Sequence, residues 1–95
     1  MIILYATSCE GCAGNRAVNR VKQYCKQNGV KFEQRLTPLW KRFADEADAI
    51  SKASGLKLPF MYGTKSQTAI EASTFTSGKR IEKLVELERE FEETS

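Results

Sequence analysis

The sequence contains no histidine, only two prolines and a single tryptophan, and just three cysteines among 95 residues. No apolar run approaches the ~20 residues a bilayer-spanning helix needs. The amino-terminal stretch Met1-Ile2-Ile3-Leu4-Tyr5 lacks the basic region and the cleavage-site pattern of a secretory signal, and reads as a first strand. Residence in the cytoplasm is the expectation that follows. There thiols are kept reduced, so a close cysteine pair points to catalysis or metal binding before structure. No dense basic stripe is present, which argues against a nucleic-acid binder. The net charge is +3, with an acidic excess confined to residues 79–95. No internal repeat and no linker interrupts the chain, so residues 1–95 are expected to form one domain.

What is present is a regular alternation of patterns. Ile2-Ile3-Leu4-Tyr5 suits a buried strand. From about residue 12 to 28, Ala17, Val18, Val21, Tyr24 and Cys25 recur at helical spacing, and Gly29 is a natural stop. Val30 to Leu36 reads as a second strand with Val30, Phe32 and Gln34 on one face. Thr37-Pro38 predicts the start of a helix, threonine as cap and proline at the first helical position. Trp40, Phe43, Ala47 and Ile50 would form its apolar face, and Gly55 its end. A third strand is expected over Leu58–Tyr62, a turn at 63–66 and a fourth strand at 68–71. Ser77 would cap a last helix with Ile81, Leu84, Val85, Leu87 and Phe91 as its stripe. The order β-α-β-α-β-β-α implies an α/β fold, a central four-stranded mixed sheet flanked by helices.

The chemistry rests on Cys9-Glu10-Gly11-Cys12. A CxxC also occurs in zinc sites and as an inert pair. With no histidine, a zinc site would need cysteines the chain does not have. Cys25 lies ~20 Å beyond Cys12 along a helix rising ~1.5 Å per residue, out of reach of a mononuclear site. Cys25 falls on the apolar face and reads as a core residue. At a strand-to-helix junction the pair suits thiol–disulfide exchange. Free N–H groups and the positive dipole end of a helix starting near residue 12 would favour the thiolate of Cys9. Cys9 would attack a disulfide and Cys12 would resolve the mixed disulfide. Glu10 opposes thiolate formation, which suits a reductant.

The strand ending at Tyr5, the pair Cys9-x-x-Cys12, the strand at Lys31 to Leu36 and the later Leu58-Pro59 together resemble the glutaredoxin branch of the thioredoxin superfamily. The resemblance implies a thioredoxin-like fold and a cytoplasmic, monomeric electron carrier with a redox-active disulfide. It further implies protein disulfides or glutathione mixed disulfides as substrates, glutathione as co-substrate and no tightly bound cofactor or metal. Carried over, it makes Cys9 and Cys12 the catalytic pair, Pro59 a cis-proline, and Tyr5, Leu58, Pro59, Ser73, Thr74, Lys79 and Arg80 substrate contacts. Two features depart from the family: Glu10-Gly11 replaces its usual Pro-Tyr, and Glu71-Ala72-Ser73-Thr74-Phe75 lacks its glycine pair. Three other functions therefore stand beside it: a thioredoxin-fold module that binds a protein partner with little redox activity, an electron donor to ribonucleotide reductase fed by thioredoxin reductase, and an iron–sulfur or metal carrier with Cys9 as ligand.

Lys79 and Arg80 at the start of the last helix, with Glu86, Glu88, Glu90, Glu92 and Glu93 toward its end, oppose the helix dipole. Two readings follow: an anion site at the helix start, or a solvated charged face. The second is favoured. Lys57 and Lys65 are expected near the same helix start.

Overall fold

The structure is a computed structural model that describes residues 1–8, 14–72 and 76–94. The elements are β1 (Ile2–Ala6), α1 (Arg16–Asn28), β2 (Phe32–Leu36), α2 (Lys41–Ser54), β3 (Phe60–Gly63), β4 (Thr68–Glu71) and α3 (Gly78–Thr94). They form one four-stranded mixed sheet in the order β2-β1-β3-β4. β1 runs parallel to β2, with Ala6 opposite Leu36, and antiparallel to β3, with Tyr5 opposite Phe60. β4 returns antiparallel to β3, pairing Glu71 with Phe60.

β1 is buried along its whole length because it sits between two strands and two layers of helix. Its alternate residues serve different faces, as the pleat requires. Ile2, Leu4 and Ala6 pack with Val18 and Val21 of α1 and with Ile81, Leu84 and Val85 of α3. Ile3 and Tyr5 pack with Phe60 and with Ala47 of α2 on the other side. α1 and α3 therefore share one face and α2 covers the opposite one. No helix among the described residues is long and apolar enough to cross a membrane.

The stops follow the sequence. Gly29 and Gly55 both adopt left-handed backbone, φ 68° and 75°, and each donates its N–H to a carbonyl of the preceding turn. The starts do not. α1 begins at Arg16, not near residue 12, because the Asn15 side chain caps it by accepting from the N–H groups of Ala17 and Val18. α2 begins at Lys41, three residues beyond the expected first position. Thr37 lies too far from it to act as its cap: the Thr37 N–H extends the sheet by donating to the Ala6 carbonyl at 2.9 Å, and a turn closed by Leu39 N–H on the Leu36 carbonyl intervenes. Trp40 takes the cap position without a side-chain hydrogen bond, and is 65% exposed instead of core. Ser77 does cap α3, its hydroxyl accepting from Lys79 N–H and its carbonyl from Arg80 and Ile81.

Candidate functional site

The cysteine pair, Cys9 and Cys12, lies outside the described residues, as do Ser73 and Thr74. The chain enters and leaves the first of these segments at one end of the sheet. It enters from Ser8, two residues beyond β1, and emerges at Gly14, one residue before the α1 cap.

That end of the sheet gathers several elements. β1 and β2 both end there, and β4 ends there too because it runs in the direction of β1. A short relay ties the connections together. The Pro59 carbonyl accepts from Ala72 N–H at 3.2 Å. The Ala72 carbonyl accepts from Asn15 Nδ2 at 2.8 Å, and Asn15 Oδ1 accepts from the first turn of α1. One buried amide thus fixes the start of α1 against the segment leaving β4 and, through it, against Pro59. The Leu58–Pro59 peptide bond is cis, as the resemblance implied. Leu58 is 38% exposed and forms part of the wall of a cleft of about 330 Å³.

All three helices begin at this end, and none has an acidic residue in its first turn. Their positive dipole ends are left unneutralised by side chains of their own. Arg16 and Arg20 of α1 face Thr76 and Ile81 across a cleft of about 190 Å³ between the starts of α1 and α3. The Arg20 guanidinium lies against Gly78, where a Cβ would collide with it. Lys79 and Arg80 are exposed in the first turn of α3, beside this cleft. The arrangement can stabilise an anion or a thiolate. Because Cys9 and Cys12 precede the Asn15 cap in the chain, neither belongs to the first turn of α1. The expected start of α1 near residue 12 is thereby corrected to Arg16, and the surroundings of the pair itself lie outside the described residues.

Two expected contacts are placed elsewhere. Tyr5 is only 2% exposed, its ring 5.5 Å from that of Phe60 between the sheet and α2. Burial raises its hydroxyl pKa, helped by the Glu46 charge and opposed by Arg35. Tyr5 therefore supports the site from within and does not line it. Lys65 lies at the opposite end of the sheet, in the turn after β3, where its backbone N–H donates to Glu88. Lys57, by contrast, lines the 330 Å³ cleft beside Leu58.

Sequence reasoning missed Asn15. Its signal was legible in retrospect, since asparagine before an amphipathic run is a strong cap; its second bond, to Ala72, had none. Cys25 is buried on the apolar face of α1 as expected, and burial pushes its thiol up to about 12, opposed by the amino terminus and reinforced by Glu92 and Glu88. It is no nucleophile at neutral pH. No family model matches this chain, nor does any curated protein or any solved structure.

Proposed function

We propose that this chain is a thiol–disulfide oxidoreductase with a thioredoxin-like, glutaredoxin-type fold, working through Cys9 and Cys12 in a reducing cytoplasm. The reading is supported by the position of the pair in the sequence, between β1 and the Asn15-capped start of α1, and by the described residues at that end of the sheet, where the cis Leu58–Pro59 bond, Ala72 and Asn15 are tied in series.

The chemistry needs a thiolate, a disulfide and a second thiol. The Cys9 thiolate attacks one sulfur of a substrate disulfide, forming a mixed disulfide and expelling the other sulfur as a thiolate. The Cys12 thiolate then attacks Cys9 sulfur, releasing the second substrate thiolate and closing the Cys9–Cys12 disulfide. Two electrons pass to the substrate, whose two thiolates take up protons. An external dithiol reductase or two molecules of glutathione must return the pair to its reduced state. The acid-free starts of the three helices favour the attacking thiolate, and Glu10 beside Cys9 moderates that effect.

The test is turnover. Oxidised protein is incubated with glutathione, glutathione reductase and NADPH, and separately with thioredoxin reductase and NADPH, with Cys9→Ser as control. NADPH consumption that disappears in the control is expected with one of the two systems, and which one identifies the electron source. Silence in both would refute the redox reading and leave a binding module. One observation favours that second reading: the exposed Leu39-Trp40 pair at the same end of the sheet.

A further inference from the structure

Leu39 is 67% and Trp40 65% exposed, at the point where the chain turns from β2 into α2. Burying either side chain would yield about 1.5–3 kcal/mol, and neither is buried. Trp40 packs edge-on against Phe43, ring centroids 6.4 Å apart, and the two with Arg42 enclose a hollow of about 280 Å³. Phe43 is backed by the Arg35 guanidinium, 5.3 Å from its centroid, and Arg35 is held by Glu46 and Glu33. The aromatic pair is therefore a firm platform. Ala44, one residue on from Phe43, belongs to the 330 Å³ cleft, whose lining also includes Thr37, Ala47 and Leu58. Thr37 is bonded to Ala6 and Leu58 lies two residues before Phe60, the partner of Tyr5, so both belong to the end of the sheet where β1 stops.

A basic residue lines each hollow, Lys57 the cleft and Arg42 the aromatic one, while Glu71 stands on the far side of Lys57 and Leu58. Lys41, Arg42 and Lys57 are exposed, and among the described residues none of the three has a carboxylate partner. The positive start of α2 adds to them, with no acid in its first turn. The one carboxylate lining the cleft, Asp48, is engaged by Lys52 at 3.1 Å. An apolar cleft with unpaired cations in and beside its lining fits an extended polypeptide segment that carries an apolar side chain among acidic residues.

We propose that the surface formed by Trp40, Phe43 and Leu58, with Arg42 and Lys57 in its lining and exposed Lys41 next to Arg42 in the chain, is a docking site for such an acidic, apolar segment of a partner protein. The surface stands on this geometry alone; that its occupant is a disulfide-bearing substrate rests on the redox reading above.

Trp40 is the only tryptophan of the chain, so its emission reports directly on occupancy. The probe is a blocked pentapeptide with a central phenylalanine flanked on each side by two acidic residues. Two controls carry lysines as flanks or serine at the centre. Titration into the full-length Cys9→Ser, Cys12→Ser variant should give a saturable change in Trp40 emission. Binding should weaken at least tenfold for either control and about threefold for Lys57→Glu, and should fall as salt rises. Lys41→Glu with Arg42→Glu, followed by calorimetry, should weaken it similarly. Equal response to acidic and lysine-flanked peptides, or no response to any, would overturn the docking site. A second arm uses disulfide dimers of the same peptides, each bearing one cysteine, with the unmodified protein. Reduction that prefers the acidic dimer about tenfold supports both readings. Selective binding without reduction would remove the redox reading and keep the surface. Reduction without preference would remove the surface and keep the redox reading.

Discussion

The two ends of the sheet treat charge in opposite ways. At the end where β1 begins, one carboxylate, Glu88, is 0% exposed and fully engaged. It accepts from the Met1 ammonium at 2.9 Å, from Lys65 and Ser66 N–H at 3.1 and 2.7 Å, and from the Ser66 hydroxyl at 2.7 Å. Glu92 takes a second bond from the same ammonium at 2.7 Å. α1 and α2 close there with Lys26 and Lys52 in their last turns, charges that suit the negative dipole ends. At the other end three helices begin without an acid, and the buried polar group there, which caps α1 and holds Ala72, is a neutral amide, Asn15. The first end uses electrostatics to hold the fold. The second leaves the starts of three helices without an acid of their own, a local positive potential that suits an anion or a thiolate.

The sharpest way to break the comparison is Glu88→Gln. Every partner of Glu88 is a donor, and a carboxamide offers one accepting oxygen and an N–H₂ that would confront another donor. A loss of about 2–4 kcal/mol is expected by urea denaturation, while the rate of thiol alkylation at the other end stays unchanged. Gly63→Ala should follow, at about 1–3 kcal/mol. A Cβ on Gly63 would run into the Glu88 carboxylate and the Ser66 hydroxyl, and that carboxylate is pinned by its donors. Asn15→Ala should cost about 1–2 kcal/mol, a cap plus one buried bond to Ala72. Unlike the first two it should also alter alkylation of the cysteine pair, because it loosens the start of α1 against Ala72 and Pro59. A stability loss with unaltered alkylation would show that the relay serves the fold alone.

Acid and alkali should separate the same two ends. Burial alone would raise the Glu88 pKa, but the N–H of Ser66, the Met1 ammonium, the Ser66 hydroxyl and the N–H of Lys65 together outweigh it and hold the carboxyl below its ordinary value. Its contribution is complete above about pH 4.5 and is lost as pH falls through the lowered folded value. Burial alone would lower the Met1 amine, but Glu92 and Glu88 outweigh it and raise the amine above its ordinary value. That contribution is complete below about pH 8 and is lost as pH rises through the raised folded value. Stability should therefore plateau between these limits. In Glu88→Gln the acid limb should shrink most and the alkaline limb partly, because Glu92 still holds the ammonium. An acid limb as steep in Glu88→Gln as in the parent would refute the assignment.

How much of this was legible in sequence differs from element to element for physical reasons. The class of fold, the glycine stops at 29 and 55, the Ser77 cap and the stripe of Ile81, Leu84 and Val85 are local signals, and each residue carries its own reason. The helix starts were misread where a residue had a choice of partner. Thr37 has the chemistry of a cap, yet its N–H completes the β1–β2 ladder. Asn15 falls inside a run from Cys12 whose spacing already suits a helix, so its role as a cap has no separate mark in the sequence. Trp40 shares the spacing of Phe43 and Ala47, but it sits one position before the helix and points away from the core. Glu88 was the hardest: its spacing puts it on the stripe of Ile81, Leu84 and Val85, unlike the exposed Glu86 and Glu90, but nothing in the sequence shows the donors over Gly63 that let a carboxylate be buried there. In the site, the sequence marks the cysteine pair and Leu58-Pro59; the bond from Asn15 to Ala72 joins residues 57 apart in the chain and leaves no local pattern.

The smallest expected effect concerns the third cysteine. Cys25 packs in the core between α1 and the sheet, and its thiol, pushed up to about 12, holds a negligible thiolate fraction at neutral pH. Alkylation of the native reduced protein with iodoacetamide at pH 7.5, read by mass spectrometry, should stop at two adducts; a third should form only in denaturant. Cys25→Ala should leave that count at two and cost about 1 kcal/mol or less, since a small buried group is replaced by a slightly smaller one. Three rapid adducts in the native protein would mean that the α1 face opens readily. The contrast between an end built for stability and an end left open for chemistry would then not hold, because α1 carries both the Asn15 cap at one end and the wall of the core at the other.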